Sequence, residues 1–223
     1  MFNQQIVLES EQRVSAIYAT DVVEKALKTM ELEGWAMLPV VSEEGLYEGL
    51  VFENELLDAP PAEMVAKMMF NANPLSALVS DHFLATAKLL VDHRLAYVPV
   101  TDKENYYRGA ITATDLMMQF YHLNGGGTDG ALLVMRMAPR DYSISQLARL
   151  VESNDALITQ INTQIEPETG MLLVTVRLNK TELSATISTL QRYDYDIVFF
   201  AGQEAYQNDV MRNYNHLMNY LDM

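Results

Sequence analysis

The stretch "DVVEKALKTMELEGWAMLPVVSEEGLYEGLVFENEL", beginning at Asp21, is matched without a gap by "DHFLATAKLLVDHRLAYVPVTDKENYYRGAITATDL", beginning at Asp81, 60 residues further on. This register superposes Met30 on Leu90, Pro39 on Pro99, Val40 on Val100, Tyr47 on Tyr107, Gly49 on Gly109 and Leu56 on Leu116. An internal repeat of this kind constrains the architecture before any single element is assigned, because each copy is one structural unit that must share a core with its sibling.

Each copy opens with Thr20-Asp21 or Ser80-Asp81, side chains suited to accept the free N–H groups of a helix start. Apolar residues then recur at helical spacing through Val23, Leu27 and Met30, or Phe83, Ala87 and Leu90. A short apolar run follows, "AMLPVV" or "AYVPVT", and its proline, which cannot donate to a ladder, predicts an edge or a strand end. Turn residues "SEEG" or "TDKEN" lead into "YEGLVF" or "YRGAIT", and "ENELLD" or "ATDLMMQFY" reads as a closing helix. Each unit is therefore predicted as helix, strand, turn, strand, helix.

After Tyr121, "HLNGGGTDG" holds four glycines and predicts a flexible connector. A phosphate-cradling glycine loop follows a strand and opens a helix, whereas here a helix precedes and a strand follows. Beyond it, "ALLVMRMAP" alternates, "SISQLARLVESN" is helical, "ALITQINTQIEPETGMLLVTVRL" is two strands about a turn, "TELSATISTLQRYDY" is helical again and "DIVFFAG" is a buried strand. Strand, helix, strand, strand, helix, strand is the ferredoxin-like order. The tail places Tyr206, Val210, Tyr214, Leu217 and Leu221 at three-to-four-residue spacing, a stripe that a helix would bury against its own body or a partner subunit.

Composition narrows the function classes. With 49% hydrophobic and 20% charged residues, the chain is an ordinary globular one. Fifteen Lys and Arg against thirty Asp and Glu give a net charge of -15, which repels nucleic-acid polymers and acidic membrane surfaces. A single nucleotide is still admissible, since a few N–H groups and one local cation hold a small anion. The absence of a long apolar span or a basic leader leads to the expectation of a cytoplasmic protein with no membrane partner. There are no cysteines, and His82, His93, His122 and His216 lack ligand spacing, so neither a metal site nor a catalytic centre is expected. The acidic pairs of "SEEG" and "ENE" read as solvated turns, and the fourteen methionines as filling for cores and interfaces.

On these residues the doubled unit, over residues 1–122, resembles a CBS-domain pair. The resemblance implies two repeats, about 1–60 and 61–122, packed through their sheets with two clefts. Such clefts commonly bind adenine nucleotides or S-adenosylmethionine and control an attached domain. The ligand motif of that family is a glycine, two apolar residues, Thr or Ser, two variable residues and Asp. "GAITATD" fits it with Gly109, Ala110, Ile111, Thr112 and Asp115. An aspartate there can accept from both ribose hydroxyls, the threonine and the following helix start face a phosphate, and small residues let a base approach. Carried over by resemblance, adenine lies against the strand of Tyr97, Val98 and Pro99 and against Ser76 and Ala77. The same spacing equally describes a helix start, with Thr112 or Thr114 as cap and Asp115 in the first turn. The first copy puts Phe52 and Glu55 at the motif positions, so its cleft is expected to be empty.

Residues 131–203 resemble an ACT domain by element order, which implies amino-acid binding at a subunit interface. The family's loop has Asp, a variable residue and Pro-Gly, where "APRDYSISQL" offers Asp141, Ser143 and Ile144. Arg140, Asp141 and Ser143 therefore read as turn and cap residues. The expected whole is a mixed α/β (α+β) chain: a tandem CBS pair, a Gly-rich linker at 123–130, a ferredoxin-like ACT-type domain and a C-terminal helix over 204–223. The expected function is a non-catalytic sensor, homodimeric, binding AMP, ADP, ATP or S-adenosylmethionine in the second repeat and acting on an unidentified protein target. The alternative is a dimeric interaction scaffold in which both the CBS and the ACT clefts are vestigial.

Overall fold

The first copy forms, in the computed structural model that describes residues 1–11, 13–69 and 74–202, a short helix α1 (Asn3–Glu9), strand β1 (Ile17–Tyr18), helix α2 (Val23–Glu33), strands β2 (Met37–Val41) and β3 (Tyr47–Phe52), and one helical turn, α3 (Glu53–Leu56). A 3-10 turn at Val65–Met68 leads to the second copy: β4 (Ala77–Leu78), α4 (Phe83–His93), β5 (Tyr97–Thr101), β6 (Tyr107–Thr112) and α5 (Ala113–Leu123). The predicted helix and two long strands are present in both copies. Each copy also has a two-residue strand too short to give a periodic signal, paired parallel to the middle strand.

Those short strands explain where the prolines sit. Pro39 and Pro99 lie in the middle strand of a three-stranded sheet, not at a sheet edge. β1 pairs only with Val40 and Val41, and β4 only with Val100 and Thr101, so the missing proline N–H falls where the third strand has ended. The helix starts also depart from the expected capping. Asp21 and Asp81 accept from the backbone N–H of Tyr18 and Leu78, fixing the strand-to-helix turn. The free N–H groups of Val23 and Glu24 go instead to the carbonyls of Glu63 and Pro61 in the connecting chain. The closing helix of the first copy is a single turn because Pro60 and Pro61 follow it.

Each copy buries its own core, Val23, Met30, Val40 and Val51 in the first and Phe83, Val100, Ile111 and Leu116 in the second. At roughly 1.5–3 kcal/mol per fully buried large apolar side chain, these residues hold the units together. A third cluster, Val14, Met37, Tyr97 and Ala110, lies between the copies. The hairpin turns exchange backbone hydrogen bonds across the same junction, Tyr47 N–H to Asn105 and Tyr107 N–H to Gly45.

One compact unit runs from Met1 to Phe120 and a second begins at Tyr121. The second unit contains β7 (Ala131–Met137), α6 (Ile144–Glu152), β8 (Ile158–Ile165), β9 (Leu172–Leu178), α7 (Ser184–Arg192) and β10 (Asp196–Ala201). Its sheet is antiparallel throughout, in the order β10-β7-β9-β8, the ferredoxin-like arrangement. Alternate residues Leu133, Met135, Val174 and Val176 face Leu147, Val151 and Leu190 of the two helices. The glycine-rich stretch is held to this unit and is not a free connector: the Leu123 and Thr128 carbonyls accept from Gln160 and Arg177, and Asn124 bonds Asn162 at 3.2 Å. A Cβ on Gly130 would meet the Leu178 carbonyl oxygen at 2.3 Å. The helix predicted over 204–223 lies outside the described residues.

Candidate functional site

β6 hands over to α5 at Thr112, which is 2% exposed. Its backbone N–H and its hydroxyl both donate to Asp115 Oδ2, at 2.8 and 2.7 Å, and its Oγ1 accepts from the Asp115 N–H at 3.1 Å. This reciprocal box satisfies the helix start and aims one carboxylate oxygen back along the strand. A third donor reaches the same oxygen from far away in sequence: Ser10 Oγ donates to Asp115 Oδ2 at 3.1 Å.

Ser10 arrives there because α1 is strapped across the second copy. The buried Asn3 accepts from the Thr86 hydroxyl at 3.0 Å and donates to the Leu78 carbonyl at 2.8 Å, while Tyr107 holds the Val14 carbonyl at 3.1 Å. Val7 of α1 rests on Gly109, where an added Cβ would lie 2.7 Å from Val7 Cγ1, and φ of +137° favours glycine in any case. Between this strap and the strand is a cavity of about 280 Å³, with Gly109 and Ala110 on one side, Val7, Leu8, Ser10 and Val14 on the other, and Arg13 and Arg108 at its walls. Arg108 is paired with Asp102 and lies 5.5 Å from the ring centre of Tyr106.

The structure thus brings together Gly109, Ala110, Thr112 and Asp115 and adds Val7, Ser10, Arg13 and Val14, which sequence reasoning did not single out. Their signal is faint. "VSA" at 14–16 echoes "LSA" at 75–77, one residue out of the gap-free register. The other expected residues do not line this cavity. Ile111, on the opposite face of β6 from Ala110, is in the core under α4. Tyr97, Val98 and Pro99 are buried, and Tyr97 donates to the Met37 carbonyl at 2.7 Å with its ring edge-on to Trp35 at 5.2 Å. Ser76 bonds the Thr101 hydroxyl at 3.2 Å, and Ala77 is 2% exposed. Burial holds the Tyr97, Tyr47 and Tyr107 hydroxyls well above the ordinary tyrosine pKa.

In the first copy, Phe52 caps no helix with its side chain and packs into the cluster between the repeats, while Glu55 is exposed. Gly49 is covered by Met69 as Gly109 is by Val7, an added Cβ lying 2.9 Å from Met69 Cε. In the second unit, Ser143 caps α6 by accepting from the Gln146 N–H, and Arg140 pairs with Asp141 at 3.7 Å, as turn and cap residues would. They border a hollow of about 660 Å³ beside Arg136, Tyr142, Tyr193 and Tyr195. Among the described residues no group of three or more His, Asp or Glu is placed to hold a metal ion, and no helix is long and apolar enough to cross a membrane.

Residues 65–122 match the CBS domain family. The family match covers the second repeat, and the unit formed by both repeats has the fold of a CBS-domain pair. The pair is similar to a CBS domain pair/ACT domain protein from Thermotoga maritima, at 21% identity over 55% of this chain and 98% of that one, with a TM-score of 0.50. It is also similar to the CBS domains of a transcriptional regulator from Streptococcus pneumoniae, at 18% identity over 53% and 98% of the two chains, with a TM-score of 0.47. A third similar structure, CBSX2 in complex with AMP, shares 18% identity over 55% of this chain and 97% of that one, with a TM-score of 0.47.

Proposed function

We propose that the CBS pair is a regulatory module without catalytic activity of its own, which binds an adenine nucleotide in the second repeat. The observation that carries this is the cavity between Gly109-Ala110 and the α1 strap, which ends at Ser10 on Asp115. The base lies against the two small residues, the ribose hydroxyls donate to Asp115, and the phosphate faces the start of α5. Arg13 brings a cation to the cavity wall, while Arg108 there is already paired with Asp102. In the first repeat Phe52 and Glu55 stand where the second has Thr112 and Asp115, and Phe52 packs into the cluster between the repeats. Isothermal titration with AMP, ADP, ATP and S-adenosylmethionine tests this: at least one gives a binding isotherm that Asp115→Ala abolishes. Four flat titrations of both the wild-type chain and Ser10→Ala refute it.

A second reading, an interaction scaffold with filled clefts, draws on the Tyr97, Trp35, Met37 and Val14 cluster that occupies the junction of the repeats. Capture of one stoichiometric partner, equally with and without nucleotide, favours this scaffold. Homodimer formation through the ferredoxin-like unit belongs to both readings, and a monomer mass by sedimentation at micromolar concentration removes it from both.

A further inference from the structure

We propose that Ser10 is a built-in competitor for the nucleotide site, so that ligand binding releases the segment joining α1 to β1. This rests on the assignment of that site to the second repeat. The cavity of about 280 Å³ lies at or below the small end of ligand pockets, roughly 300 Å³, so a nucleotide needs more room than the resting state offers. Asp115 is not in the lining of that cavity, and the lining side chain bonded to it is Ser10.

Asp115 Oδ2 accepts three hydrogen bonds: two come from Thr112 within the helix-start box, and the third comes from Ser10. The Thr112 bonds hold α5 in place and are local, closing over three residues. The Ser10 bond spans 105 residues and contributes a single hydroxyl donor to a carboxylate oxygen. A ribose hydroxyl is the same chemical group. Replacing the Ser10 hydroxyl by one ribose hydroxyl conserves the hydrogen bond at Asp115 Oδ2, so the exchange costs little there. What it changes is the chain that Ser10 belongs to, whose far end is held by Tyr107 on the Val14 carbonyl. Arg13 lies within that segment and lines the same cavity. The resting protein is thus a self-liganded state. Ligand and Ser10 exclude each other, and the apparent affinity is reduced by the fraction of molecules in which Ser10 is seated.

The chemical class of ligand follows from the contact. It must present a hydroxyl donor where Ser10 now donates, so a nucleotide with a free ribose diol competes and a 2′,3′-dideoxynucleotide does not. AMP and 2′,3′-dideoxy-AMP are titrated against the wild-type chain, Ser10→Ala and Asp115→Ala, and amide hydrogen exchange is followed with and without AMP. The expected result is AMP binding about three- to tenfold tighter in Ser10→Ala than in wild type, with Asp115→Ala and the dideoxy compound giving no binding. AMP is also expected to speed exchange at Ser10, Glu11, Arg13 and Val14 while slowing it at 109–115. Binding by Ser10→Ala alone supports the competitor with a wild-type equilibrium far to the seated side. Wild-type binding that Ser10→Ala leaves unchanged or weakens, or slowed exchange at both segments, overturns the competitor but leaves the site standing. No binding by any variant removes the site and the competitor together.

Discussion

Gly109 shows how one residue joins backbone, packing and site. Its φ of +137° is a conformation that side-chain-bearing residues rarely adopt, and Val7 stands where a Cβ would be. Gly109→Ala is expected to destabilise the chain by about 1–3 kcal/mol and to lift α1 from β6, read as a lower urea midpoint with the slope retained. Gly170→Ala is the matched control. Its φ is +68° with nothing within 4 Å of an added Cβ, so only the backbone penalty of about 1 kcal/mol applies. A loss at Gly109 no larger than at Gly170 would remove the argument from Val7. At the same scale, Arg13→Ala is expected to weaken AMP more than adenosine, since it removes a cation from the cavity wall and leaves the sugar contacts alone.

At the level of elements, the junction of the repeats is held by buried tyrosines. Tyr97, Tyr47 and Tyr107 donate to the carbonyls of Met37, Leu75 and Val14. For each, desolvation raises the folded pKa above the ordinary value of 10.0. The neutral form is the one that folds, so the contribution is complete below pH 10 and is lost as the pH rises beyond the pKa of the unfolded chain. A melt followed from pH 8 to 11.5 is expected to fall steeply above pH 10. Tyr97→Phe starts lower, by about 0.5–1.5 kcal/mol for the lost hydrogen bond, and falls less steeply. Parallel curves for the two proteins would contradict the assignment. Glu166 has the opposite sign. The Thr169 hydroxyl and Arg136 lower its pKa below 4.5, so its contribution is present above that value and is lost in acid. Glu166→Gln is expected to flatten the acid limb of the melt.

For the whole molecule, the cores are separate. One cluster draws its members from Ala131 to Phe200, while the others draw theirs from residues before 121. Two calorimetric transitions are expected, and AMP should raise only the one that belongs to the CBS pair. Leu147→Ala, in the ferredoxin-like core with no exposure, is expected to lower only the other, by about 2–5 kcal/mol. A single transition moved by both perturbations would contradict this.

Much of this was legible without coordinates, for a physical reason. Repeat register, helical spacing and strand alternation are local properties of the chain, and the 60-residue register carries the CBS pair as the alternation after Gly130 carries the ferredoxin-like sheet. Thr112 and Asp115 stood out because their contact closes over three residues. What only the tertiary structure decided are the partners brought from a distance. Ser10 reaches Asp115 across 105 residues, Val7 covers Gly109, and Tyr97 turns into the junction of the repeats. Spacing along a chain says which face a residue occupies within its own element. Which other element arrives at that face, and whether it leaves room for a ligand, depends on how the folded surfaces pack.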